Sequence, residues 1–119
     1  MIIMQGSIPI KSGQFDRALA MAHDLIAAAR GEAGCITYEF YRGLSDPDTL
    51  VVFQEWESMD ALMDHLSSPH VESFLRRLPE ISDGGITTVQ CLCGGAARRR
   101  STSALREHAC VTRVSSAIQ

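Results

Sequence analysis

Three side chains with chemistry to offer fall within one short stretch of this chain. Trp56 closes the apolar run Val51-Val52-Phe53-Gln54-Glu55-Trp56, and His65 and His70 lie on either side of Ser67-Ser68-Pro69. Imidazole exchanges a proton near neutral pH, so each histidine is a candidate general base or a ligand for a substrate oxygen. Indole offers a flat apolar wall and one N–H donor. Tyr38, Phe40 and Gln54 add a phenol, an aromatic face and an amide. Gathered in one place, these groups could deprotonate and orient a flat aromatic molecule. Each also has an ordinary role: Trp56 as core packing, His70 as a hydrogen-bonding group at a helix start, and His65 as a solvated helix residue.

The surrounding pattern says which elements would position them. Ile2 to Ile10 is β-branched and apolar and stops at Lys11-Ser12-Gly13, which reads as a strand and a turn. Phe15, Leu19, Ala22, Ile26 and Ala29 recur at helical spacing, predicting a helix from about Ser12 to Arg30. Cys35 to Leu44 and Thr49 to Glu57 read as strands joined by the Ser45-Asp46-Pro47-Asp48 loop. Ser58 is a good N-cap for a helix bearing Met59, Leu62, Met63 and Leu66, where the methionines read as part of a core stripe. Pro69 restarts a helix carrying Val71, Phe74, Leu75 and Leu78. His70 then falls in its first turn, where the positive end of the dipole disfavours a second positive charge. Ile86 to Leu92 is a fourth strand. The order β-α-β-β-α-α-β predicts an α+β, ferredoxin-like split βαβ fold with a four-stranded antiparallel sheet.

Helices can cover one sheet face only. Val51, Phe53 and Tyr41 would then sit on an open face, and a patch of that kind usually marks an interface. Two sheets packed face to face would bury it, so the expected partner is a second copy of the chain, giving a dimeric α/β barrel.

Composition narrows the function classes. The chain has 119 residues, 45% of them hydrophobic and 21% charged, which suits one soluble domain with one modest core. No apolar run reaches the ~18 residues of a membrane span, and Met1-Ile2-Ile3-Met4-Gln5 lacks a signal-peptide pattern, so no membrane partner and a cytoplasmic location are expected. Residues 1–93 carry six Lys/Arg and thirteen Asp/Glu, a net −7 that argues against a nucleic-acid partner. Residues 94–119 carry five Arg and one Glu, a net +4, and read as a basic extension to a domain spanning 1–93. In that extension Leu105, Ala109 and Val111 could support a short helix; the abrupt Arg/Ser/Ala bias also fits an altered reading frame. Cys91 and Cys93 have no matching second pair or zinc-finger histidine, so no metal site is expected.

The ordered set Gly34-Cys35-Ile36-Thr37-Tyr38-Glu39, Ser45-Asp46-Pro47, Val52 to Ser58 and His65-Leu66-Ser67-Ser68-Pro69-His70 resembles the antibiotic biosynthesis monooxygenase family over roughly residues 1–92. The resemblance implies a dimeric ferredoxin-like barrel. It also implies cofactor-independent oxidation of a quinol or related hydroxyaromatic by O₂, so no cofactor is expected. Under that reading Trp56 and Phe40 wall a slot, His70 and then His65 are the candidate bases, and Tyr38 and Gln54 hold substrate oxygens. The haem-degrading branch uses an Asn in the first strand and a His in the last helix. The matching positions here are Gly6 and Leu75, so only the Trp is kept. The alternatives are a sugar-phosphate isomerase of the same fold, with Arg42, Arg76 and Arg77 as its sparse phosphate ligands, and a non-catalytic stress or binding module.

Overall fold

The computed structural model describes residues 1–92 and 110–116, with residues 89–92 and 110–116 described by their backbone alone. In chain order the elements are β1 (Ile2–Pro9), α1 (Phe15–Arg30), β2 (Cys35–Arg42), β3 (Thr49–Trp56), α2 (Met59–Leu66), α3 (Pro69–Arg77), a short 3₁₀ turn (Leu78–Glu80), β4 (Ile86–Leu92) and β5 (Cys110–Ser116). The first eight form the ferredoxin-like α+β fold that the periodicity predicts. The sheet runs β2-β3-β1-β4-β5 and every pairing is antiparallel. It is not closed into a barrel within the chain, because β2 and β5 lie at opposite edges.

β5 extends the four-stranded sheet beyond what the sequence suggested. It pairs with β4 from Ile86↔Ser116 to Leu92↔Cys110. The expected short helix through Val111 is therefore corrected: this segment is a strand, its Cys110-Val111-Thr112 start rich in β-branched residues. Leu105, Ala109 and the Arg98-Arg99-Arg100 run lie outside the described residues.

Period-two alternation sorts the strands cleanly. Ile2, Ile8, Tyr38, Leu50, Val52, Gln54 and Trp56 face the helices and are buried. Tyr41 on the opposite face is 54% exposed, while Val51 and Phe53 are half-buried. Register aligns the inward residues in cross-strand rows: Tyr38, Gln54 and Met4 in one, Phe40, Val52, Gly6 and Thr88 in the next.

Two helix faces differ from the apolar stripes in the sequence. On α1 the buried set is Phe15, Ala18, Met21, Ala22, Leu25 and Ala29, whereas Leu19 is exposed. On α2 the buried residues are Leu62 and His65, and Met59 and Met63 face solvent. The inward edge of α2 is thus a leucine and a histidine one turn apart, not the methionine stripe.

One glycine sets the position of the loop after α1. Gly34 has φ +85°, and a Cβ there would lie 2.6 Å from the Ala61 Cβ on α2. Its carbonyl accepts from the Glu57 N–H at 2.8 Å. This close approach brings the Gly31–Gly34 loop, and Glu32 with it, against α2. Gly34→Ala combines the left-handed penalty of roughly 1–2 kcal/mol with overpacking of about 1–3 kcal/mol. A fall in the urea midpoint at unchanged slope is the expected result, and an unchanged midpoint would show that the loop yields freely.

Candidate functional site

A cavity of about 290 Å³ lies between the sheet and helices α2 and α3. Its floor is the sheet: Met4, Gly6 and Ile8 from β1, Tyr38 and Phe40 from β2, Val52 and Gln54 from β3, Ile86 and Thr88 from β4. Leu25 of α1, His65 and Leu66 of α2, and Val71, Phe74 and Leu75 of α3 complete it. Gly6 has no side chain to fill the centre of this floor. A Cβ added there would lie 3.1 Å from Ile86 Cγ2 and 3.2 Å from Val52 Cγ1. Gly6 and Leu75, where a haem-degrading relative would carry Asn and His, both line the space and make it apolar there.

The polar groups of the lining are few. His65 is 1% exposed at its side chain, so the expectation of a solvated helix residue is corrected. Its ring packs over Trp56 with centroids 4.6 Å apart and the planes tilted by 33°, and meets the Tyr38 ring edge-on at 5.1 Å. The carbonyl of His65 also accepts from the Ser68 N–H at 3.0 Å and the Ser68 hydroxyl at 2.5 Å, which pins the break between α2 and α3. His65 Nδ1 lies 2.6 Å from Glu32 Oε2, and His70 Nε2 lies 2.9 Å from the same oxygen.

Electrostatics assigns the protons. Burial alone pushes the Glu32 carboxyl upward, but the hydrogen bonds and charges of the two histidines outweigh it and hold it below its usual range. An ionised carboxylate only accepts, so both ring nitrogens donate to it. Burial lowers the His65 pKa, and the neighbouring carboxylate only partly restores it. His65 is therefore neutral at pH 7 with its proton on Nδ1. Its Nε2 has no hydrogen-bond partner among the described residues and carries a free lone pair. Tyr38 is shifted well above the ordinary phenol range, first by burial and then by the Glu32 charge, so it remains a donor. Its hydroxyl makes no hydrogen bond to another described residue.

Trp56 plays a different part from the slot wall that the sequence suggested. It is fully buried, absent from the cavity lining, and lies behind His65 and Tyr38. Its indole N–H donates to Gln54 Oε1 at 2.9 Å. Because indole is only a donor, the Gln54 oxygen must face it, which leaves the Gln54 NH₂ for the cavity. Phe40, Tyr38 and Gln54 line the cavity. His70 does not. It is 30% exposed, borders a smaller pocket of about 130 Å³ with Asp24 and Arg77, and meets the main site through Glu32 and through the His65 ring, 6.0 Å away between centroids. The structure thus brings Tyr38, Gln54, Trp56 and His65 into contact and sets His70 beside His65, outside the cavity and sharing Glu32 with it.

Glu32 and Thr88 are polar site residues that sequence reasoning missed. Glu32 sits in a Gly31-Glu32-Ala33-Gly34 loop that reads as a simple helix stop. Its one signal is a lone carboxylate between the two glycines.

The titration of this cluster carries a stability consequence. In the unfolded chain His65 takes up a proton near the ordinary histidine pKa; in the folded chain it does so only at lower pH. Between those values the unfolded state binds more protons, so stability is present above about pH 6.5 and is lost as pH falls through the folded value. Glu32, also lowered, adds a loss of the same sign at still lower pH. The urea midpoint should fall from pH 7.5 to pH 5 in wild type, and by less in His65→Gln.

The profile of the antibiotic biosynthesis monooxygenase family matches residues 1–77, which spans β1 to the end of α3 and all of the His65–Glu32–His70 cluster. The chain belongs to the antibiotic biosynthesis monooxygenase family. Within it, an uncharacterized Synechocystis protein, sll1783, is 28% identical over 80 residues, covering 67% of this chain and 54% of that one. This family member thus spans about half the length of that relative. YcnE of Bacillus subtilis, named provisionally as a monooxygenase, is 23% identical over 76% of this chain and 95% of its own. The solved structure of Rv0793 from Mycobacterium tuberculosis superposes with a TM-score of 0.72 at 22% identity, covering 78% and 93% of the two chains. It shares the fold. No helix among the described residues of this family member is long and apolar enough to cross a membrane.

Proposed function

We propose that the protein is a cofactor-independent monooxygenase that oxidises a quinol or related hydroxyaromatic with O₂. The observation that carries this reading is the free Nε2 of His65, a neutral buried imidazole on the wall of an apolar cavity. At about 290 Å³ the cavity is near the lower end of small-molecule sites, a size for a compact ring system. Phe40, Phe74, Val52 and Leu75 offer apolar surface to such rings, and the Tyr38 hydroxyl and Gln54 amide are placed to donate to oxygens.

The chemistry asks for little more. His65 Nε2 takes the hydroxyl proton of the aromatic, and the Nδ1–H bond to Glu32 stabilises the imidazolium that forms. The electron-rich phenolate passes one electron to O₂, and the resulting radical pair joins at a ring carbon to give a hydroperoxide. Loss of water, with the ring C–H proton and the outer oxygen departing together with a proton returned by His65, leaves a quinone. The balance is one hydroxyaromatic plus O₂ to one quinone plus water. The Tyr38 and Gln54 donors stabilise the oxyanion as charge develops on it.

The test is oxygen uptake by metal-free protein with a panel of naphthols and naphthoquinols. Catalysed uptake with an acid-side midpoint below about pH 6.5 is expected, because His65 is lowered from the ordinary histidine value. Uptake equal to the uncatalysed rate across the panel would reject the reading. The isomerase alternative draws on one observation, Arg77 beside His70 in the smaller pocket; it predicts turnover of a phosphorylated ketose with no oxygen consumed. The reading also includes a homodimer through the open sheet face. Exposed Tyr41 and half-buried Val51 and Phe53 support it, and Phe53→Glu should shift the mass measured by light scattering to that of the monomer.

A further inference from the structure

We propose that Glu32, His65 and His70 form a binding site for a divalent transition-metal ion, with two imidazole nitrogens and one carboxylate oxygen as ligands. The three ligand atoms all lie within 4.8 Å of one another, and two of the contacts, 2.6 and 2.9 Å, share Glu32 Oε2. Zinc bonds to nitrogen and oxygen at about 2.0–2.2 Å, which puts neighbouring ligand atoms of a tetrahedral site about 3.3 Å apart. Outward movements on the ångström scale by Glu32 and His70 reach that spacing, and both side chains are partly open to solvent.

The arrangement also has the supports that a metal site needs. His65 is fixed by its packing over Trp56, its edge contact with Tyr38 and its pinned carbonyl. His70 is held by the rigid start of α3, where Pro69 fixes the first turn. The ligands come from three separate elements: the loop after α1, α2 and α3. Two histidines and one carboxylate suit Zn²⁺, Co²⁺ or Fe²⁺ and leave a coordination position for water or a small ligand. No cysteine is among the ligands, so the site is independent of thiol oxidation.

Binding would require a tautomer switch in the rings. Two ring N–H groups now donate to Glu32, and a metal takes those nitrogens only after their protons leave. The His65 proton then resides on Nε2, and the ring can no longer act as a base in the cavity. The inference therefore deepens the proposed function, on which this last consequence rests: the ion occupies the back of the base and inhibits proton abstraction. Affinity itself does not depend on that reading.

The experiment titrates Co²⁺ into chelator-treated full-length protein, followed by visible absorption, with Zn²⁺ as competitor. One Co²⁺ per chain with a ligand-field spectrum displaced by Zn²⁺ is expected. Glu32→Gln and His70→Asn should each weaken binding by more than about ten-fold, the lower end of the loss caused by removing even an outer-sphere partner. Thermal unfolding of both variants checks that they remain folded. Absence of saturable absorption overturns the site. So does a spectrum unchanged in both variants, or a near-ultraviolet thiolate charge-transfer band that survives Glu32→Gln and places the ion on cysteine. Zn²⁺ inhibition of oxygen uptake is read separately, so an inactive protein that still binds Co²⁺ through Glu32 rejects the monooxygenase and keeps the metal site.

Discussion

Replacing His65 with glutamine should slow oxygen consumption by about 10²–10⁴-fold, the usual contribution of a positioned general base. The size of the effect follows from the arrangement of its two nitrogens. Nδ1 is committed to Glu32 and Nε2 is free, so the ring has one basic lone pair directed away from its anchor. Glutamine fills part of the volume and offers hydrogen bonds, but it has no group that accepts a proton near neutral pH. The comparison with His70→Gln is the sharper part of the measurement. His70 lies outside the cavity and meets the proposed base at its rim, through Glu32 Oε2 and a ring contact with centroids 6.0 Å apart, so its loss should cost less. A His70 variant slower than the His65 variant would mean that the base has been assigned to the wrong ring.

Trp56→Ala should destabilise the fold by about 3–5 kcal/mol through cavity formation alone. Trp56 is among the largest fully buried side chains of the domain and borders Tyr38 and His65. A second cost arises at Gln54. Its Oε1 accepts the indole N–H, and stripping that donor from a buried carbonyl costs about 1–3 kcal/mol more. Small domains have only about 5–15 kcal/mol in total, so the variant should sit close to its unfolding threshold at room temperature. Urea unfolding measures both effects. Trp56→Phe keeps most of the packing and loses only the donor, so it should fall between wild type and alanine. If it matches the alanine variant, the hydrogen bond rather than the ring volume dominates.

The fold was legible because its signals are local. Ser58 caps α2 through its hydroxyl, Pro69 opens α3, and alternation in Leu50 to Trp56 follows the two sheet faces. The site was only partly legible because side-chain direction on a short helix is set by tertiary packing. An apolar stripe through Met59, Leu62, Met63 and Leu66 suggests one inward face, yet α2 rolls to bury Leu62 and His65. A buried histidine is costly without a partner, and its partner Glu32 is supplied from a loop more than thirty residues earlier. Nothing in the spacing of the two histidines encodes that carboxylate. The role of Trp56 was hidden for the same reason: a tryptophan at a strand end is recognisable, but whether it faces the space or backs the residue that does is decided by the layer behind it. β5 was missed because its β-branched residues lie within an Arg/Ser-rich stretch, and its pairing is fixed by the free edge of β4.

The chain has one tryptophan, and it packs against the proposed base. Indole emission is quenched by an adjacent protonated imidazole, so the fluorescence of Trp56 is a natural optical readout of the charge on His65. A plain emission scan against pH would follow the apparent titration of the cluster at that ring without labels, isotopes or turnover. The same signal would register a ligand entering the cavity or an ion settling behind the ring. The packed pair that holds the architecture together thus doubles as a reporter built into the unmodified protein.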